Sequence, residues 1–153
     1  MTTIVISRKH KQIAADSFNT DTANMARLVN KIEKMSNDWY FLGSGHLKPL
    51  GLLKRWVEAT VRGEEPEAPD LEFVECDNTY SFTVAIVSPD MSEIRMIDDE
   101  LEWYTILDEY TAIGSGSAFA LGALDAGATP SVAVACAIKR DIYSGEPLQL
   151  LQL

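Results

Sequence analysis

The sequence has few of the side chains on which most hydrolases and metalloproteins depend. Its 153 residues include two cysteines and two histidines, and no serine sits in a GxSxG setting. A Ser/His/Asp hydrolase is therefore a poor fit. Cys76 and Cys136 lie far from any CxxC spacing, with only His10 and His46 as further ligands. No metal site and no cofactor are expected, and both cysteines read as reduced packing residues. Positive charge is also scarce, with 13 basic residues against 23 acidic ones and a net charge of −10. That balance repels phosphate backbones and anionic lipid, so neither nucleic acid nor a membrane is an expected partner. No apolar run approaches the roughly 18 residues that span a bilayer, and MTTIVISRKHK carries no signal-peptide core. A cytoplasmic protein is expected.

What remains is ordinary for a folded chain: 46% hydrophobic and 24% charged residues, with no internal repeat and no linker. A single domain over residues 1–153 buries roughly two-thirds of its unfolded surface without disulfide or metal. β-Branched residues from Thr2 to Arg8, the polar turn Lys9 to Lys11 and the run Gln12 to Asp16 predict an N-terminal hairpin. Ser17 to Ala26 reads as irregular, and Arg27 to Met35 and Asp38 to Leu42 as strands. Gly43 to Gly45 (GSG) is expected to break the last of these. Pro49 then opens a helix with Leu50, Leu53, Val57 and Val61 on one face.

An acidic loop, Gly63 to Asp70, precedes a strand at Tyr80 to Val87 covered on both faces. A turn at Ser88 to Ser92 leads to its partner, Ile94 to Ile97. Asp108 to Ile113 runs into a second GSG at Gly114 to Gly116 and a helix over Ala118 to Ala126. Thr129 and Pro130 begin a further helix through Asp141, apolar nearly all round and so expected to be covered on most sides. Pro147 to Leu153 supplies a last strand. This order suits an α+β fold of two antiparallel sheets with helices packed outside them, a four-layer sandwich.

Thr2 is the residue with unusual chemical potential. Met1 precedes a small residue, the context in which methionine aminopeptidase exposes the next one. An N-terminal threonine can serve as nucleophile and base at once, because its own α-amine, with an ordinary pKa near 8, can take the hydroxyl proton directly or through water. No histidine is then required. Thr2 also fits a plain role as a strand residue.

TTIV at Thr2, IAADS at Ile13 to Ser17, NKIEKM at Asn30 to Met35 and GSG at Gly43 to Gly45 occur in this order. AIGSGSAFALGALDAG at Ala112 to Gly127 and KRDIYSG at Lys139 to Gly145 follow. Together they resemble proteasome β-subunits and the bacterial HslV peptidase, and the resemblance spans both ends and most of the chain between. It implies a proteasome-type peptidase domain with the αββα sandwich of N-terminal nucleophile hydrolases. It further implies a threonine endopeptidase in a homo-oligomeric ring, fed protein substrates by an ATP-dependent unfoldase.

Position by position, Thr2 matches the nucleophile, Asp16 the strand-end carboxylate and Lys31 the lysine of the KI motif. A lysine ammonium beside the Thr2 amine and hydroxyl depresses the amine pKa, and Asp16 keeps that lysine charged and oriented. Asp16 and Lys31 also suit a simple ion pair. Gly45 matches the residue whose N–H forms the oxyanion hole at a helix N-terminus, and it equally suits an ordinary strand-to-helix turn. Ser115, Asp141 and Ser144 match the groups that hydrogen-bond the terminal amine and the nucleophile, or else a turn serine, a helix-end aspartate and a C-terminal cap. Val29, Glu33, Gly43 and Leu47 match the wall of the pocket for the side chain before the cut bond. Gly43 leaves that pocket open and Glu33 makes one wall acidic, which favours basic or long side chains.

The link between the second GSG and RDIYSG is shorter than in the family, so the last two helices are expected to be clipped. The early stop and the absence of a propeptide before Thr2 point toward a bacterial or phage-like self-compartmentalising homologue. Two other readings share the fold: a catalytically silent ring or scaffold protein, and an amidase acting on small molecules.

Overall fold

The computed structural model describes residues 2–20, 26–71, 82–97 and 100–153. In chain order its elements are β1 (Ile4–Ser7), β2 (Gln12–Ala15), β3 (Phe18–Thr20), β4 (Ala26–Leu28), β5 (Ile32–Lys34), β6 (Tyr40–Gly45) and α1 (Leu47–Val61). After these come β7 (Phe82–Val87), β8 (Ile94–Ile97), β9 (Trp103–Thr105), β10 (Tyr110–Ile113), α2 (Ser117–Asp125), α3 (Pro130–Ile138) and β11 (Gln149–Gln152). The chain is thus a mixed α/β protein. None of the described helices is long and apolar enough to cross a membrane.

The N-terminal hairpin forms as expected, with Ile4 opposite Ala15 and Ser7 opposite Gln12. It becomes the centre of an antiparallel sheet in the order β10-β1-β2-β11. A second antiparallel sheet runs β5-β6-β7-β8-β9, and β3 and β4 form a separate ribbon. Alternation along the strands splits the first sheet between two cores. Ile4, Ile6, Ile13 and Ala15 pack against Leu42, Ala85, Val87 and Ile94 of the second sheet. Val5 and Ala14 turn the other way, onto Ala120 and Leu124 of α2 and Ala133, Val134 and Ala137 of α3. Leu50, Leu53 and Val57 of α1 cover the far face of the second sheet at Phe41, Val84 and Ile86. Strands buried on both faces explain why Ile4, Val5 and Ile6 are all fully inaccessible. Each such aliphatic side chain contributes about 1.5–3 kcal/mol relative to exposure.

Several local expectations change. GSG at Gly43 to Gly45 does not end its strand, because all three residues stay in register with β7 and Gly45 lies opposite Phe82. The backbone turns only at His46, with Gly45 at φ 125 and α1 starting at Leu47. The segment from Arg27 to Met35 is two short strands in different sheets, with residues 29–31 crossing between them. β9 is an addition to the expected elements, and β3 brings order where an irregular stretch was expected.

α3 ends at Ile138 rather than Asp141. Arg140 and Asp141 both donate their N–H to the Ala137 carbonyl, which tightens the last turn. Nor is α3 covered on most sides. Val132 is half exposed and Cys136, one turn on, is exposed as well, so Cys136 is not a packing residue. Cys76 and the first residues of the expected strand, Tyr80 and Ser81, lie outside the described residues.

Candidate active site

Two buried carboxylates organise the N-terminal end of β1. Asp16, fully inaccessible at the end of β2, accepts at Oδ1 from the Thr3 N–H at 2.8 Å and the Lys31 ammonium at 2.8 Å. Its Oδ2 accepts from the N–H groups of Phe18 and Gly145, each at 3.1 Å. The Lys31 ammonium also donates to the Phe18 carbonyl at 2.7 Å. Burial pulls the Lys31 pKa below the ordinary lysine value, against the hydrogen bond and charge of Asp16 and the charge of Asp141, which hold it up. With both side chains at most 5% exposed, this is no surface ion pair. Removing one partner would strand a buried charge, which typically costs about 3–5 kcal/mol.

Asp141 is the second carboxylate, brought inward by the tight end of α3. Its Oδ2 accepts from the Ser115 and Ser144 hydroxyls, each at 2.6 Å. With the Ser144 proton committed to Asp141, the Thr3 hydroxyl is the donor in its 2.7 Å contact with Ser144. Ser115 in turn accepts the Thr2 N–H at 3.3 Å. The second GSG is needed for this approach. A Cβ on Gly114, whose φ is 96, would lie 2.0 Å from the Thr2 carbonyl oxygen, and one on Gly116 would lie 1.9 Å from Thr3 Oγ1.

Thr2, 5% exposed, opens onto a cavity of about 240 Å³. Lys31, Gly45, Val29, Glu33, Gly43 and Leu47 line the same cavity. Every residue read from the sequence as nucleophile, lysine, oxyanion-hole glycine or pocket wall therefore borders one space. Asp16, Ser115, Asp141 and Ser144 stand behind it, joined to Lys31 or Thr2 by the hydrogen bonds above. A Cβ on Gly43 would lie 2.9 Å from Leu50 Cδ2, so a side chain there would have to displace Leu50 at the cavity wall. Glu33, however, is ion-paired with Lys54, which also lines the cavity. The wall carries a salt bridge in place of a bare acid. Among the described residues no three His, Cys, Asp or Glu side chains gather where they could hold a metal ion.

Sequence reasoning missed Thr3, which links the two carboxylate clusters, and Lys54. The TT dipeptide was a usable signal for Thr3, since adjacent strand residues point to opposite sides. Nothing local marks Lys54, because its pairing depends on where α1 docks.

Among proteins of known structure the chain has an HslV-like fold. It matches HslV from Trypanosoma brucei with a TM-score of 0.67 at 20% identity, covering 99% of this chain and 100% of the other. It matches Thiobacillus denitrificans BPH with a TM-score of 0.69 at 21% identity, covering 98% of this chain and 96% of the other. The same BPH in complex with epoxomicin matches equally well, at 0.69 and 21% over 98% and 97% of the two chains. No protein-family model and no curated protein sequence matches the chain.

Proposed function

We propose that this chain is the threonine endopeptidase subunit of a self-compartmentalising ring protease, acting in the cytoplasm with Thr2 as nucleophile once Met1 is removed. On this reading the alternating sheets and helices are the four-layer αββα sandwich of N-terminal nucleophile hydrolases. The reading rests on one observation: Thr2, Lys31 and Gly45 border a single cavity, and hydrogen bonds tie Lys31 to buried Asp16 and Thr2, through Ser115, to buried Asp141. The Thr2 hydroxyl attacks the substrate carbonyl carbon while its proton passes to the Thr2 amine, directly or through water. The Lys31 ammonium favours the developing alkoxide, and the Gly45 N–H receives the carbonyl oxygen as it gains charge. The amine returns its proton to the departing amide nitrogen, and water then hydrolyses the Thr2 ester. Protein substrates reach the chamber through a homo-oligomeric ring, unfolded by an ATP-dependent partner.

With Met1 attached, the Thr2 nitrogen is an amide and cannot act as a base. Cleavage of short fluorogenic peptides should therefore track the fraction of chains that intact mass shows to lack Met1. Epoxomicin, the compound bound in one of the matched structures, should form an adduct only with those chains, and Thr2→Ala should abolish both readouts. Undiminished cleavage by wholly Met1-retaining protein would overturn the mechanism.

A further inference from the structure

Gln149 lies outside the cavity, on the C-terminal strand, yet its side chain grips the segment that carries three cavity-lining residues, Val29, Asn30 and Lys31. Residues 29–31 cross from β4 to β5, leaving sheet pairing on both sides, and their backbone polar groups need partners elsewhere. The Ser17 carbonyl accepts from the Val29 N–H at 2.9 Å. A single carboxamide meets two more of them: Gln149 Oε1 accepts from the Lys31 N–H at 3.0 Å, and Nε2 donates to the Val29 carbonyl at 2.7 Å. The same Nε2 donates to the Ser17 hydroxyl at 2.6 Å, and it lies 3.4 Å from the Asp16 carbonyl. Gln149 is opposite Ala15 in the β2–β11 pairing, one residue before Asp16. It shares a strand face with Leu151, which packs into the core between the sheets, so its backbone is held rigidly.

We infer that Gln149 is a positioning residue for the proposed peptidase, fixing Lys31 beside Thr2 and Val29 in the specificity wall through one side-chain amide. This inference rests on the peptidase reading, and no smaller or one-ended side chain supplies both an acceptor and a donor at that reach. Loss of the clamp lets residues 29–31 shift while Asp16 still holds the ammonium. The Lys31–Thr2 geometry and the wall then loosen together.

Gln149→Met keeps the length of the side chain and removes both hydrogen-bonding ends. Gln152→Met, on the outward face of the same strand, removes contacts to Gln12, His10 and Lys11 and serves as the control for a weakened β11. In Met1-processed protein, Gln149→Met should lower kcat and raise KM, reducing kcat/KM roughly 10- to 100-fold, while Gln152→Met stays within about twofold of wild type. Native-state hydrogen exchange supplies a readout independent of catalysis. The Lys31 amide should lose protection in Gln149→Met while the amides of β1 and β2 keep theirs. Unchanged protection at Lys31, or equal losses of activity in the two variants, overturns the inference. A wild-type protein without peptidase activity but with Lys31 protection lost in Gln149→Met would sink the peptidase reading and leave the clamp standing.

Discussion

Glu33 and Lys54 show how a single pairing redirects a site. An unpaired Glu33 would invite basic side chains into the cavity, but the Lys54 ammonium on α1 meets its carboxylate at the wall. Both groups are partly exposed, so the pair is worth at most about 1 kcal/mol. Lys54→Ala should free the acid. The ratio of kcat/KM for peptides with arginine before the cut bond to that for leucine peptides should rise by up to about fivefold, the equivalent of that energy. An unchanged ratio would mean that the substrate side chain does not meet this wall. Lys31 is different in kind, because it is buried and held by Asp16 while bordering the same cavity as Thr2.

At the scale of elements, the turn between β10 and α2 sets how closely the N-terminal strand approaches Asp141. Gly116 has an ordinary φ of −87, so its need for glycine is steric: Thr3 Oγ1 occupies the place of a Cβ. Gly116→Ala should destabilise the fold by about 1–3 kcal/mol through overpacking and pull Thr3 away from Ser144. Gly122, inside α2, faces open space, and a Cβ there would meet nothing within 4 Å. Gly122→Ala should stabilise by roughly 0.5–1 kcal/mol through helix propensity. Thermal melts of the two variants check both signs, and a Gly116→Ala protein as stable as wild type would show that the β10–α2 turn has room to yield. The helix ends matter for the same reason: because α3 stops at Ile138, Asp141 is free to turn inward and accept from Ser115 and Ser144.

For the whole molecule, the surface of the single chain leaves several large apolar side chains in solvent. Leu107 and Ile142 are more than four-fifths exposed, and Phe119 and Val132 of the α2–α3 layer are about half exposed. Exposed apolar residues of this kind mark association surfaces when they gather. The proposed ring predicts that light scattering at micromolar concentration gives a homo-oligomer many times the 16.9 kDa chain mass. A monomer under those conditions would count heavily against a chambered protease.

The hairpin ending at Asp16, the three helices and the strand pair across Ser88 to Ser92 were determined by the sequence alone, because residue periodicity and turn chemistry act over a few positions; β3, β9 and the burial of both faces of β1 were not. The candidate groups were legible too, as motifs: TTIV, IAADS, NKIEKM and the two GSG turns. Only tertiary structure decided which of them meet. Thr2 reaches Ser115 across 113 residues, and Thr3 reaches Ser144 across 141. Gln149 reaches Val29 across 120 residues, and no local signal marks it. The Glu33–Lys54 pair and the exposed face of α3 follow from where helices dock. Contacts at such separations are set by sheet order and layer packing, which bring together side chains that no local pattern relates.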